Sequence, residues 1–137
     1  MNENEIVTII IDKSMEIHRQ LGPGLLENAY ESILSFELLE QGLGISRQET
    51  IPIKWKTLTI DEAYRADLIV EDKVIVEIKS VEKLTKANEK QLLTYLRLSG
   101  KKLGLLLNFG QPLLKDGIER IINGKLESVA GRDDLFK

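Results

Sequence analysis

The chain has 137 residues, 42% hydrophobic and 30% charged, with a net charge of −3, which suits a single soluble domain over residues 1–137 and excludes a disordered chain. With no Cys and one His, His18, disulfides, thiolate sites and a zinc centre are not expected, so any metal should be a hard, oxygen-bound cation. No apolar run approaches the roughly 20 residues that span a bilayer, and the acidic start MNENEIVTII lacks a signal peptide's basic region, so no membrane role and a cytoplasmic location are expected.

From about Asn4 to Leu21, Ile6, Ile10, Ile17 and Leu21 recur near helical spacing and predict an amphipathic helix. LGPGL (Leu21 to Leu25) breaks it. A second helix is predicted from about Leu25 to Gln41, with Leu26, Ala29, Tyr30, Ile33 and Leu34 on one side, ending at QGLG. The period then changes to two. Thr50 to Thr59 alternates through Ile51, Ile53 and Trp55, predicting a strand, and Ala63–Val70 and Val74–Lys79 predict two more. A third helix fits Thr85 to Leu98, and KKLGLLLNFG (Lys101 to Gly110) reads as a buried strand. LKDGIERII is a short helix or strand, followed by a charged tail. The order ααβββαβ plus a C-terminal extra predicts an α/β or α+β domain with a mixed sheet.

Charge is uneven along this order. Residues 1–46 hold 2 basic against 8 acidic side chains, residues 47–102 hold 12 against 9, and residues 103–137 hold 5 against 5. The basic excess in the middle suits either a phosphate-facing patch or an ordinary solvated surface.

The hairpin RADLIVEDKVIVEIKS (Arg65 to Ser80) can be tested against its own register. A three-residue loop at Glu71-Asp72-Lys73 pairs Val70 with Val74, Leu68 with Val76 and Ala66 with Ile78, so that one face is wholly apolar. The other then carries Arg65, Asp67, Ile69, Ile75, Glu77 and Lys79, with Asp67 opposite Glu77. A two-residue turn at Asp72-Lys73 would mix charge into both faces, so the longer loop is expected. Opposed residues have Cβ atoms roughly 4.5–5.5 Å apart. Two carboxylates that close repel unless a cation lies between them or one is protonated. Cross-strand ion pairs with Arg65 and Lys79 on a solvated face are the alternative reading.

Asp67 followed by Glu77-Ile78-Lys79 resembles the Asp…(Asp/Glu)-x-Lys signature of the PD-(D/E)xK nuclease superfamily, whose αβββαβ core is similar to the predicted order. GLLENAY places Gly24, Glu27 and Tyr30 at the spacing that names the GxxExxY family, a set of small proteins classed with these nucleases. QLLTY places Gln91 and Tyr95 one helical turn apart, similar to the Q-x-x-x-Y motif of RecB-like and phage exonuclease-like branches. The resemblance covers roughly Ile6 to Ile122 and departs at Ala66, where the family has Pro.

The resemblance implies a restriction-endonuclease-like αβββαβ core, a mixed central sheet flanked by helices, and an extra N-terminal helix. It implies Mg²⁺-dependent (or Mn²⁺-dependent) hydrolysis of phosphodiester bonds in DNA or RNA. Asp67, Glu77 and Glu27 would be metal ligands with the carbonyl of Ile78, and Lys79 would orient the attacking water and stabilise charge on phosphate. Gln91, Tyr95 and Tyr30 would contact substrate. The alternative is a catalytically silent module of this fold that binds nucleic acid or a protein partner. A homodimer would suit so small a nuclease.

Other readings stand beside these. Glu27 suits a helix's first turn as well as a metal, and Tyr30 could be core or could bond that carboxylate. His18 reads as a helix-end residue. Trp55 is expected to pack against the sheet, with base stacking as the alternative. Lys83, Lys86 and Lys90 could meet phosphate or form a solvated face.

Overall fold

The computed structural model describes residues 1–126. Helix α1 (Glu3–Leu21) opens with a reciprocal cap. Asn2 Oδ1 accepts the Glu5 N–H at 2.8 Å, and Glu5 Oε1 accepts the Asn2 N–H at 2.9 Å, satisfying amides that a helix start leaves unpaired. Helix α2 (Glu27–Glu40) follows the Gly-Pro-Gly break. Helix α3 (Lys86–Ser99) has a second reciprocal cap, Thr85 with Asn88, and ends at Gly100 in the left-handed conformation.

The described residues form five strands, β1 (Ile45–Trp55), β2 (Leu58–Val70), β3 (Val74–Lys79), β4 (Leu103–Asn108) and β5 (Ile118–Ile122), which lie side by side in chain order. Every neighbouring pair is antiparallel except β3 and β4, which are parallel and joined through α3. The expected order ααβββαβ is therefore present. The ambiguous LKDGIERII is a 3₁₀ turn (Leu114–Gly117) leading directly into β5. The charged stretch after Leu126 lies outside the described residues. Among the described residues no helix is long and apolar enough to cross a membrane.

The two-residue period of the strands sorts the core into two layers. Leu68, Val70, Val74, Val76, Ile78, Leu103, Leu105 and Leu107 pack against Ile6, Ile10, Leu34 and Leu38 of α1 and α2. Ile69, Ile75 and Leu106 pack on the other face against Leu92 and Leu96 of α3. Covered on both faces, β3 and β4 are buried throughout, apart from half-buried Lys79. A glutamate at position 77 therefore stands in the most enclosed part of the sheet.

The hairpin takes the expected register. Val70 pairs with Val74, Ile69 with Ile75 and Leu68 with Val76 around the loop Glu71–Lys73. The next expected pair on the apolar face, Ala66 with Ile78, is absent from the ladder, because the Asp67 side chain occupies the Ile78 N–H at 2.8 Å. Beyond that point β2 leaves β3 and follows β1 alone, and Ala66 joins the α3-side cluster with Ile51 and Ile69.

The first strand needs a larger correction. It runs from Ile45 to Trp55 rather than Thr50 to Thr59, turns at Lys56-Thr57, and gives Thr59 to β2. The result is a β1–β2 arm that reaches past the end of β3. Trp55, expected to pack on the sheet, is 66% exposed at its tip, and Leu58 and Ile60 beside it are exposed as well. Among the described residues no strand or helix covers them.

Candidate active site

Where β2 and β3 part, side chains replace the ladder. Asp67 Oδ2 accepts the Ile78 N–H at 2.8 Å, while Glu77 Oε2 faces the Asp67 N–H at a long 3.4 Å. Each carboxylate thus reaches across to the other's strand, and the opening in the sheet brings two acids together.

Burial raises both. The Glu77 carboxyl, 8% exposed, is pushed up to about 7 chiefly by desolvation, with the charges of Glu31 and Glu27 adding to the rise. The bond from the Asp67 backbone and the Lys79 ammonium oppose it. Asp67 is raised by the same desolvation, despite hydrogen bonds from Ile78 and Gln48 and the charge of Lys79. Lys79, half-buried at the end of β3, makes no ion pair among the described residues and contributes its charge to both acids.

The backbone around Lys79 is held from β4. The Phe109 N–H donates to Lys79 O at 2.8 Å. Buried Asn108 accepts the Val81 N–H at 3.0 Å and donates Nδ2 to Val81 O at 2.9 Å. His18 Nε2 lies 3.1 Å from Phe109 O and 2.9 Å from Gln111 O. Both partners are acceptors, so this nitrogen carries the proton, and His18 braces the loop from the last turn of α1. Gly110 completes the packing, since a Cβ there would lie 2.4 Å from Val81 O and 2.6 Å from Val81 N. Gly110→Ala is expected to cost about 1–3 kcal/mol, measured as a lowered urea midpoint. An unchanged midpoint would contradict this close approach.

The GLLENAY segment forms a latch on the same loop. Glu27, the first residue of α2, accepts the Ser80 N–H at 2.9 Å, and Ser80 Oγ donates to Leu25 O at 3.0 Å. Glu27 therefore reaches the residue after Lys79 and adds negative charge near Glu77. Tyr30 differs from the expected substrate contact. It is fully buried and stacked on Phe109 at 4.3 Å, and its hydroxyl donates to Gly22 O and accepts the Leu25 N–H. With ring and hydroxyl both engaged inside the protein, Tyr30 supports the α1–α2 loop from beneath.

Gln91 and Tyr95 come to the site from α3. Burial raises the Tyr95 hydroxyl, the nearby Gln91 amide opposes the rise, and the charge of Glu77 adds to it. The Tyr95 ring lies nearly parallel to that of Tyr64 on β2.

Three participants were not singled out from sequence. Glu31, 5% exposed, accepts Arg47 Nε at 3.0 Å and Gln48 Nε2 at 2.7 Å, and Gln48 also donates to Asp67 Oδ1 at 3.3 Å. Glu31 follows Glu27 by one helical turn, and like charges at that spacing destabilise a helix unless something compensates, which was a readable signal. Arg47 and Gln48 had none, because they reach Glu31 only through the fold.

The donor set suits a hard cation. Asp67 and Glu77 offer oxygen, and the Lys79 ammonium favours the ionised form of both. No group of three or more acidic or imidazole side chains able to hold a metal occurs among the described residues. Mg²⁺ commonly takes one or two carboxylates and keeps water for the rest of its shell, so two acids fit it. No curated protein and no solved structure matches the chain significantly. The profile of the PD-(D/E)XK nuclease superfamily matches residues 4–121, from the first turn of α1 into β5, and so takes in both acids, the lysine and every strand of the sheet: the chain belongs to that superfamily.

Proposed function

We propose that the protein hydrolyses phosphodiester bonds of DNA or RNA with Mg²⁺ or Mn²⁺, and that within the superfamily it belongs with the GxxExxY proteins. The observation that supports this reading best is the opening of the β2–β3 ladder, which sets Asp67 and Glu77 against each other beside Lys79. The cation would be held by Asp67, Glu77 and the Ile78 carbonyl, and it would supply an activated water and neutralise charge on the phosphate.

The chain's own residues do the rest. Glu77 must give up its proton before it can bind a cation. Lys79 orients the attacking water and stabilises the charge that develops on phosphate. Glu27 holds the Ser80 amide and thereby the loop that follows Lys79. Gln91 and Tyr95 meet the substrate from the α3 side, with exposed Lys83, Lys86 and Lys90 available to its phosphates.

The test is cleavage of single-stranded, duplex and branched DNA, and of RNA, with Mg²⁺ or Mn²⁺. Cleavage by the wild type that is lost in Asp67→Ala supports the reading. A wild type that neither cleaves nor binds cation in calorimetry rejects it, in favour of a silent module that binds nucleic acid or a protein partner.

A further inference from the structure

Consecutive residues of a β-strand point to opposite faces of the sheet, yet Arg47 and Gln48 on β1 grip the same carboxylate. Arg47 Nε donates to Glu31 Oε2 at 3.0 Å, and Gln48 Nε2 donates to Glu31 Oε1 at 2.7 Å. The backbone accounts for this. Gln48 has a φ of +54° within β1, in the left-handed region that residues with a Cβ rarely adopt. The pairs on either side, Arg47 with Leu68 and Glu49 with Ala66, stay in register. The kink therefore inserts no residue. It redirects one side chain.

That side chain goes between two acids. Gln48 Nε2 is 2.7 Å from Glu31 Oε1 and 3.3 Å from Asp67 Oδ1. Ionised carboxylates only accept hydrogen bonds, and an amide nitrogen carries two hydrogens, one for each partner. An apolar side chain could serve neither, and a glutamate would add a third negative charge. Glu31 has both oxygens engaged, and Arg47 is fixed in turn by its bond to Ser32 Oγ at 2.9 Å. Glu31 thus acts as a strut from α2 that holds the amide in place. Asp67 is gripped on both sides, Oδ2 by the Ile78 N–H at 2.8 Å and Oδ1 by Gln48.

We propose that Gln48 is the positioning residue for Asp67: its left-handed backbone delivers an amide, anchored by Glu31 and Arg47, that sets the carboxylate's orientation toward a divalent cation. This rests on the reading of Asp67 as a metal ligand. It predicts that losing the amide weakens cation binding without unfolding the protein. Groups that orient a metal ligand from behind are typically worth 10–100-fold in metal affinity or activity.

Calorimetric titration with Mn²⁺ alone compares the wild type with Gln48→Gly and Gln48→Asn. Glycine accepts the left-handed backbone without an amide. Asparagine also tolerates that backbone, but its amide falls one methylene short. In both variants the Mn²⁺ Kd is expected to weaken roughly tenfold, with cooperative thermal melts retained in circular dichroism. Should Gln48→Gly fail to fold, Gln48→Asn decides. A wild type that binds Mn²⁺ and a folded variant within twofold of it overturn the role of Gln48 while leaving the proposed function standing. A wild type that binds no Mn²⁺ overturns both.

Discussion

Glu77→Gln is expected to yield a protein that is more stable than the wild type at pH 8 and lacks the cleavage activity proposed above. Glu77 lies in the central strand with its carboxyl raised from 4.5 to about 7 by burial. Between those values the folded chain keeps a proton that the unfolded chain releases, so stability falls as pH rises across that window. Above pH 7 the native state carries a desolvated charge, at a cost on the order of 3 kcal/mol for a shift of this size. Asp67 is raised as well and acts in the same direction.

A neutral isostere removes this cost and, on the proposed function, would no longer serve as a ligand to the cation. Differential scanning calorimetry at pH 8 should show Tm higher by roughly 5–10 °C in the variant, and at pH 5 the two proteins should converge. Mg²⁺ should raise the wild-type Tm at pH 8 and leave the variant unmoved. A variant that melts at or below the wild type at pH 8 would show that the Glu77 charge is already compensated within the protein.

Lys79→Met is expected to separate catalysis from cation binding. The ammonium lowers the pKa of both acids, and in the proposed reaction it would stabilise the charge that develops on phosphate. Removing such a group typically costs about 10²–10³ in rate, read in single-turnover cleavage at saturating cation. A positive charge beside two carboxylates also competes with a metal, so Mn²⁺ affinity should stay level or increase. Slow cleavage with retained binding identifies a group that acts on the transition state. Cleavage within tenfold of the wild type would remove Lys79 from the chemistry.

What the sequence revealed of this molecule follows from the range of the forces involved. The hairpin register was legible because a one-residue slip would have turned Leu68, Val70, Val74 and Val76 toward the wrong layer. Glu77 was legible because a charge within VIVEIK breaks an apolar strand. The start of β1 was not, since Ser46 to Glu49 are polar and one of them has a left-handed backbone that glutamine does not advertise. Trp55 misled because alternation identifies a face without saying whether anything covers it. Tyr30 and Glu27 were found as a pair, but only packing shows that the tyrosine is turned inward and the acid outward. Glu31, Arg47 and Gln48 are joined by contacts 16 and 17 residues apart in the chain, which local pattern does not encode.

The exposed tip of the β1–β2 arm has a spectroscopic consequence. The chain has one tryptophan, and it sits on that tip, over which the Lys56 ammonium lies 5.7 Å from the ring centroid. The indole is largely hydrated in the native state, so its emission should resemble that of the unfolded chain and report poorly on loss of the core. The same fluorophore should respond readily to anything that settles on the arm. Intrinsic fluorescence in this protein is therefore a local gauge of contact, and global unfolding is better followed through the backbone.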